Sequence, residues 1–545
     1  MLLPLAQFLE HAKNIPTKPF LKQPEKGIWK TWTYQEARDE AARIAAGLKK
    51  MGIEQGDRVA ILSKNCAHWV MSDLAIMMTG AVSVPIYPSL SAHAIEPILK
   101  HSGTKIVIVG KLDDFSTQEA GIPANVKVIS VNRYGVKLGE SWEQLSNTEA
   151  AIQNIYDWQP EDLLTIIYTS GTTGVPKGVM HRAYSFAITL PVAFREFSLP
   201  YAPNLFSYLP MSHIAERLGL EINALYHQGT LHFAESLKTF PQNLKDTQPD
   251  LFFAVPRIWA KFQEGVLKKL PQKKLDLFLK IPILSSIIKN KIKTNLGLKK
   301  ATHIFSGAAP ISVDMLKWFE KIGITIYQAY GMTEDAIYAH FNRPGVNKFG
   351  SVGKKISGLE SKISPDGEVL VKSEGNMRGY YKEPEITAAA FDEEGYLKTG
   401  DIGHYDEEGF LFLTGRLKDQ FKTDKGKFIS PAPIELEISK NEFIEMNAVV
   451  GMGIPQPIAL VVLSAAGKAA PKEELIQSLE STLKQLNPEL EHHEQVKKIV
   501  IMKEDWSIEN NMLTPTLKIK RNELEKLKVP MYPKWYEQKG AVIWE

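Results

Sequence analysis

Residues Ile167–Met180 read IYTSGTTGVPKGVM. Apolar residues lead into this stretch and close it. Between them Ser170, Thr172 and Thr173 alternate with Gly171 and Gly174, and Lys177 stands just before Gly178. A strand that ends in so many backbone donors, hydroxyls and one ammonium suits an anion, with a polyphosphate as first candidate. Glycines let backbone N–H groups approach oxygens closely, and lysine offers phosphate a compact charge. The spacing is not that of a Walker A loop, which needs four residues between its glycines and then Gly-Lys-Ser/Thr. Taken alone, such a loop is more often plain surface.

The flanking chain supplies the fold. TYQEARDEAARIAAGLKKMG (33–52) has helical periodicity, DRVAIL (57–62) reads as a buried strand, AHWVMSDLAIMMTG (67–80) as a helix and AVSVPIY (81–87) as a strand. TKIVIVG, KVISV and LLTIIYTS continue the alternation. Strands alternating with helices predict an α/β fold of mostly parallel sheets flanked by helices. Ligands in such folds sit at the carboxyl ends of strands, where the glycine loop lies. From Asp392 to Gly415 short strands and Gly-centred turns take over, which predicts a distorted β subdomain. After GRLKDQ a separate set of patterns begins, including the helical EELIQSLESTLKQLN. The expected boundary is near Leu417–Lys418, giving a large domain over 1–417 and a small α+β domain over 418–545.

Composition excludes some classes. Hydrophobic residues make up 44% and charged residues 23%, as in ordinary globular chains, and a formal net charge of +3 gives no global case for nucleic-acid binding. One cysteine, Cys66, permits no internal disulfide and fits a reducing, cytoplasmic setting. The N-terminus does not read as a secretion signal. The longest apolar stretch, Leu74–Tyr87, is broken by Thr79, Gly80, Ser83 and Pro85, too short for a membrane span of about 20 residues.

The glycine loop has company. AYGMTE occupies 329–334, YLKTGDIG 396–403, GRLKDQ 415–420 and LTPTLKIKR 513–521. In this order the motifs resemble the adenylate-forming superfamily of acyl-CoA synthetases, luciferases and peptide-synthetase adenylation domains. The resemblance implies ATP, Mg²⁺ and coenzyme A as cofactors, and two steps: a carboxylate attacks the α-phosphate of ATP, then a thiol displaces AMP. It further implies that Thr169, Ser170, Gly171, Thr172, Thr173, Gly174 and Lys177 hold the β- and γ-phosphates. Thr333 would contact the α-phosphate, Glu334 would coordinate Mg²⁺, and Tyr330, beside Gly331, would stack on adenine. Asp401 and Arg416 would reach the ribose, while Gly307, Ala308 and Ala309 in SGAAP (306–310) would wall the adenine and acyl pocket. Lys518 would be the catalytic lysine of a mobile C-terminal lid, with Lys418 as pivot and the loop Lys425, Gly426 and Lys427 turned toward coenzyme A in the second step. The bland readings are a core aromatic for Tyr330, a solvated turn acid for Glu334 and a structural pair for Asp401 and Arg416.

Amino-acid-activating relatives carry an Asp that pairs with the substrate ammonium. The corresponding segment here, LPMSHIAERLG (209–219), has none. That segment and TDKGKFISPAPIE (423–435) are most similar to long-chain fatty acyl-CoA synthetases, which implies a medium- or long-chain fatty acid as substrate. His213 would lie near the acyl and carboxylate pocket, or be a satisfied structural histidine. Arg217 falls where some relatives place a gating aromatic, and Lys518 follows Leu517 where Gly-Lys is usual. The rival readings are an acyl-AMP ligase delivering to a carrier protein, a ligase for aromatic or other acids, and a catalytically dead nucleotide sensor, which would have lost Lys518, Glu334 or the glycine loop. The segment Lys268–Lys300 holds ten lysines and one acid, Asp276. It reads as a peripheral contact with an anionic membrane or as a solvated helical hairpin. No nucleic-acid partner is expected, and the chain is expected as monomer or homodimer.

Overall fold

The computed structural model describes residues 1–169, 176–514 and 517–545. Among these residues the chain before residue 417 builds two large, mostly parallel sheets. One has eight strands, ordered 379–380, 177–182, 163–169, 82–86, 58–62, 104–109, 127–130 and 140–141. The other has nine, ordered 354–355, 340–341, 327–330, 303–306, 251–254, 204–207, 230–233, 19–25 and 28–33. The Gly-turn region forms a four-stranded antiparallel sheet from 360–363, 368–372, 397–405 and 411–416. The α/β expectation therefore holds, while the antiparallel β part begins at Glu360, earlier than the stretch 392–415 predicted.

Local signals explain the elements. Thr33 and Glu36 form a reciprocal cap that starts the helix Tyr34–Lys50: the Thr33 hydroxyl accepts from Glu36 N at 3.2 Å and the Glu36 carboxylate from Thr33 N at 2.8 Å. The helix Ala67–Thr79 is buried on every side, as an all-round apolar helix must be. It packs against strands of both large sheets. It stops at Gly80, whose φ of 77° and contact with the Tyr156 ring leave no room for a Cβ.

That helix nevertheless contains Asp73, fully buried, and the reason is Arg217. The Arg217 guanidinium bonds both Asp73 oxygens at 2.6 and 2.8 Å, the Ser83 hydroxyl at 2.9 Å and the Thr165 hydroxyl at 2.6 Å. Arg217 opens a π-helical turn, Arg217–Ile222, that comes after a strand of the nine-stranded sheet, whereas Ser83 and Thr165 belong to the eight-stranded one. Glu221, on the same turn, is held well above the carboxylate range by burial and by the Asp73 charge. Arg217 is thus an internal tie between the two sheets.

The C-terminal part has its own sheet of Ile444–Val450, Ile458–Leu463, Lys498–Ile501 and Val542–Trp544. The helix Lys472–Leu486 lays Leu475, Leu479, Leu483 and Leu486 on it, a one-faced stripe. Among the described residues no apolar cluster joins the chain before residue 414 to the chain after 420. Ion pairs do cross: Lys440 with Asp314 at 3.0 Å, and Arg257 with Glu445. No helix of the described chain is long and apolar enough to cross a membrane.

Because Arg217 and Asp73 have no access to water, removing one strands the other. Arg217→Met is expected to cost about 3–5 kcal/mol, and Arg217→Met with Asp73→Leu to recover much of it. Thermal unfolding midpoints of the single and double variants check this.

Candidate active site

Residues from both large sheets, from the antiparallel β sheet and from the C-terminal part meet in one region, called the cleft below. The strand Leu163–Thr169 pairs antiparallel with Lys177–Arg182, Thr169 opposite Lys177, so the strands on either side of the glycine stretch are hydrogen-bonded partners. The expected ligands Ser170, Gly171, Thr172, Thr173 and Gly174 lie outside the described residues. Lys177 is described, its ammonium 5.2 Å from the centre of the Tyr380 ring. The Tyr380 hydroxyl donates to Glu334 at 3.0 Å. His181, on the Lys177 strand, donates from Nε2 to the Thr333 carbonyl at 2.7 Å. The loop strand and the Thr333–Glu334 turn are thereby bonded to each other.

Thr333 and Glu334 start a short helical turn after the strand Tyr327–Tyr330, and both are buried. Burial pushes the Glu334 carboxyl up, opposed by the Tyr380 hydrogen bond and by the positive charges of Arg416 and Lys177. Asp335 is pushed up to about 8, first by burial and then by the negative charges of Glu334 and Asp401. Its Oδ1 accepts from Met332 N at 2.9 Å, and its Oδ2 has no partner among the described residues.

On the next wall Tyr330 donates to Asp401 at 2.8 Å and Arg416 donates from Nε to the same carboxylate at 2.7 Å. Asp401 and Arg416 are direct cross-strand partners. Asp401 is buried while more than half of the Arg416 side chain faces solvent. The structural pair is present: the carboxylate is oriented by two donors, and the guanidinium remains reachable from solvent. Gly331 admits no Cβ because Ile337 would lie 2.6 Å from it. Gly307 is equally tight against the Ala329 carbonyl, and Ala308, at a φ of 65°, and Ala309 are exposed beyond it.

Lys518 reaches this cleft from the C-terminal part. Its ammonium is lowered to about 8, by crowding against the cleft walls and by Arg416, with Asp401 and Glu334 pulling the other way. The residue stays accessible to water, which moderates the crowding. His213 is lowered to about 4 by burial and by the Lys518 charge, so the ring is neutral at pH 7. Its Nδ1 accepts from Ala215 N at 3.2 Å, which leaves the proton on Nε2. The loop is closed by Lys518 N donating to the Thr514 hydroxyl at 3.0 Å and Thr514 N to the Lys518 carbonyl at 2.8 Å. Leu517 holds a φ of 61° there, the left-handed region that favours glycine, which accounts for the usual Gly before this lysine.

Not every expected residue joins them. Lys425, Gly426 and Lys427 form an exposed turn between Phe421–Lys422 and Phe428–Ile429, bonded within itself and not to the cleft. Lys418 sits in the turn Leu417–Asp419 directly after Arg416. The sequence reading missed His181, Tyr380, Asp335 and Arg521. Arg521 pairs with Glu435 and lies 3.7 Å from Asp419, holding the segment after Lys518 to the chain after Arg416. Asp335 and His181 adjoin motifs already singled out and Arg521 ends one; Tyr380 carries no such signal.

The AMP-binding enzyme model matches residues 8–381, and the model of the AMP-binding enzyme C-terminal domain matches residues 418–527. The chain belongs to the AMP-binding enzyme family. Among curated relatives it is similar to long-chain-fatty-acid–CoA ligase FadD15 of Mycobacterium bovis, 28% identical over 95% of this chain and 94% of that one. It is also similar to long-chain-fatty-acid–CoA ligase 5 of Mus musculus, 30% identical over 92% of this chain and 83% of that one. The fold is shared with the adenylation domain of carboxylic acid reductase from Segniliparus rugosus, solved with AMP and a carboxylic acid: TM-score 0.81, 19% identity, 98% of this chain and 94% of that one. It is shared too with o-succinylbenzoate CoA synthetase of Bacillus subtilis: TM-score 0.76, 22% identity, 95% and 97% coverage.

Lys518 is expected to titrate near pH 8, well below an ordinary lysine. Arg416→Ala removes a neighbouring positive charge and should raise that value. The pH dependence of Lys518 labelling by an amine-selective reagent, read by mass spectrometry in both proteins, measures the shift.

Proposed function

We propose that the chain activates a medium- or long-chain fatty acid with ATP and Mg²⁺ and passes it to coenzyme A. The carrying observation is the convergence of Lys518 with His213, the Thr333–Glu334 turn and the Asp401–Arg416 pair in one cleft. In the first step a carboxylate oxygen forms a bond to the α-phosphorus and the α–β phosphoanhydride bond breaks, releasing pyrophosphate. Two anions must meet, so fixed cations are what the barrier needs. Lys518 is the charge between them, while Lys177 and the glycine stretch hold the departing phosphates. Asp401 and Arg416 hold the ribose, and Tyr330 borders the base. Neutral His213, with a proton on Nε2, orients the carboxylate without adding charge. In the second step thiolate sulfur bonds to the acyl carbon and AMP leaves.

The residues suit Mg²⁺. That ion takes one or two carboxylates and completes its shell with phosphate oxygens and water. Glu334 is one such buried carboxylate, with Asp335 beside it, and no cluster of three or more candidate ligands exists among the described residues. When bound, the ion would neutralise phosphate charge.

The fatty acid is supported by the names of the relatives and by the absence of an Asp in 209–219 to receive a substrate ammonium. We place the lid at 418–545 with its pivot at Lys418. Lys518 occupies the cleft and the Lys425–Lys427 turn lies outside it, as the first step requires. A rotation would reverse the two. Delivery to a carrier protein is the second reading, favoured by the same exposure of that turn.

Pyrophosphate release across a panel of fatty, aromatic and amino acids, with and without coenzyme A, tests the assignment. Release with fatty acids and formation of a coenzyme A thioester are expected; response to aromatic or amino acids alone would overturn it. Separately, Lys518→Ala should slow acyl-adenylate formation by on the order of 10² or more, as loss of a transition-state charge contact does. Thioester formation from supplied acyl-adenylate should survive. Lys418→Pro, which locks φ, should do the reverse. Equal losses in both half-reactions for Lys518→Ala would count against two arrangements.

A further inference from the structure

The crossover from the strand Leu251–Ala254 to the strand His303–Ser306 consists of three helices, Pro256–Lys269, Gln272–Leu279 and Pro282–Leu296. Their inner faces are ordinary: Trp259, Leu275 and Ile292 join Phe252 and Phe319 in one apolar cluster. The outer face is not. Leu277 is 57% exposed, Ile281 49%, Ile283 78% and Ile287 57%. Ile283 and Ile287 lie one turn apart on the same helix face, and Leu277 and Ile281 stand at the corner between the last two helices. Four large aliphatic side chains within residues 277–287 thus form an exposed ridge that the fold itself does not use.

Lysines surround the ridge. Lys273, Lys274 and Lys280 are exposed on the helix Gln272–Leu279 and its end, and Lys291 is exposed one turn beyond Ile287. The segment's single acid, Asp276, is already bonded to Gln272 and Lys321. None of those four lysines has an ion pair among the described residues; Lys268, farther back, pairs with Glu264.

We propose that this corner docks the protein on an anionic lipid surface, the aliphatic ridge entering the headgroup boundary and the lysines meeting lipid charge. The chemistry of the patch selects that partner. Residues 268–300 contain no Arg, Trp or Tyr, the side chains that dominate protein interfaces, whereas lysine is depleted there. Nucleic-acid surfaces use arginine and stacking aromatics. Bare aliphatic tips ringed by lysine suit a helix that lies in a membrane interface. The ridge belongs to the crossover that feeds the strand His303–Ser306, at whose end the SGAAP segment lies. Docking would therefore fix the orientation of the cleft relative to the bilayer.

Co-sedimentation of the full chain with phosphatidylcholine vesicles, with and without phosphatidylserine, tests this. Binding only to the phosphatidylserine vesicles is expected, weakening as salt is raised. Each lysine near such a surface is worth roughly fivefold in partitioning. Lys273→Gln/Lys274→Gln/Lys280→Gln should therefore lower it by on the order of 10²-fold before screening. Ile283→Ser/Ile287→Ser should lower it at every salt concentration. Both variants should keep the wild-type unfolding midpoint and ATP–pyrophosphate exchange with a water-soluble medium-chain acid, because none of these residues lies in the cleft. The proposal is overturned by absence of wild-type binding, by equal binding to neutral vesicles, by variants that bind like wild type, or by equally tight binding to polyglutamate or RNA. The readout needs no turnover, so its failure would leave the catalytic assignment standing.

Discussion

One guanidinium holds the two large sheets in register with each other. Arg217 leaves a turn beyond the nine-stranded sheet and bonds side chains of the eight-stranded sheet and of the helix between them. Its neighbour Glu216 makes a parallel tie to Asn65, Ser207 and Tyr208 N. Burying such groups costs much of what their attraction returns. What they provide is position, since a buried ion with four partners tolerates little sliding. The cleft lies where residues of both sheets meet, and it inherits that precision. His213 stands four residues before Arg217, so the same tie sets its place.

The second constraint is charge. Glu334, Asp335 and Asp401 crowd one side of the cleft, and Lys177, Arg416 and Lys518 approach from three different segments. Burial raises Glu334 and Asp335, whereas burial and Arg416 lower Lys518 and the acids Asp401 and Glu334 oppose that. The first sheet contributes Lys177, the β subdomain Asp401 and Arg416, and the C-terminal part Lys518. A polyanion entering this space adds negative charge, which returns Lys518 toward its ordinary value. Ligand and ammonium therefore stabilise each other.

The alternation of strand and helix patterns between residues 33 and 170 made the α/β fold legible, because period and length separate the two element types well. The five motifs made the cleft legible for Thr333, Glu334, Tyr330, Asp401, Arg416 and Lys518, which the structure brings together. The features that stayed hidden depend on partners far apart in sequence. Arg217 reads as one charge in HIAER, and nothing local announces Asp73 as its mate, 144 residues away. His181 and Tyr380 matter through bonds to Thr333 and Glu334, and no periodicity encodes these. That the strands on either side of the glycine stretch pair antiparallel was equally invisible, since an apolar run before a loop does not encode the direction of the next strand.

The crossing between the chain before 414 and the chain after 420 carries a further consequence. No apolar cluster spans it among the described residues, and the ion pairs that do, Lys440 with Asp314 and Arg257 with Glu445, are partly exposed. Exposed pairs contribute about 0–1 kcal/mol each. These exposed pairs therefore offer little resistance to the rotation proposed above. On that reading, a bound molecule that touches both parts would need only a modest difference in affinity to favour one arrangement. Occupancy of the cleft would then be the switch.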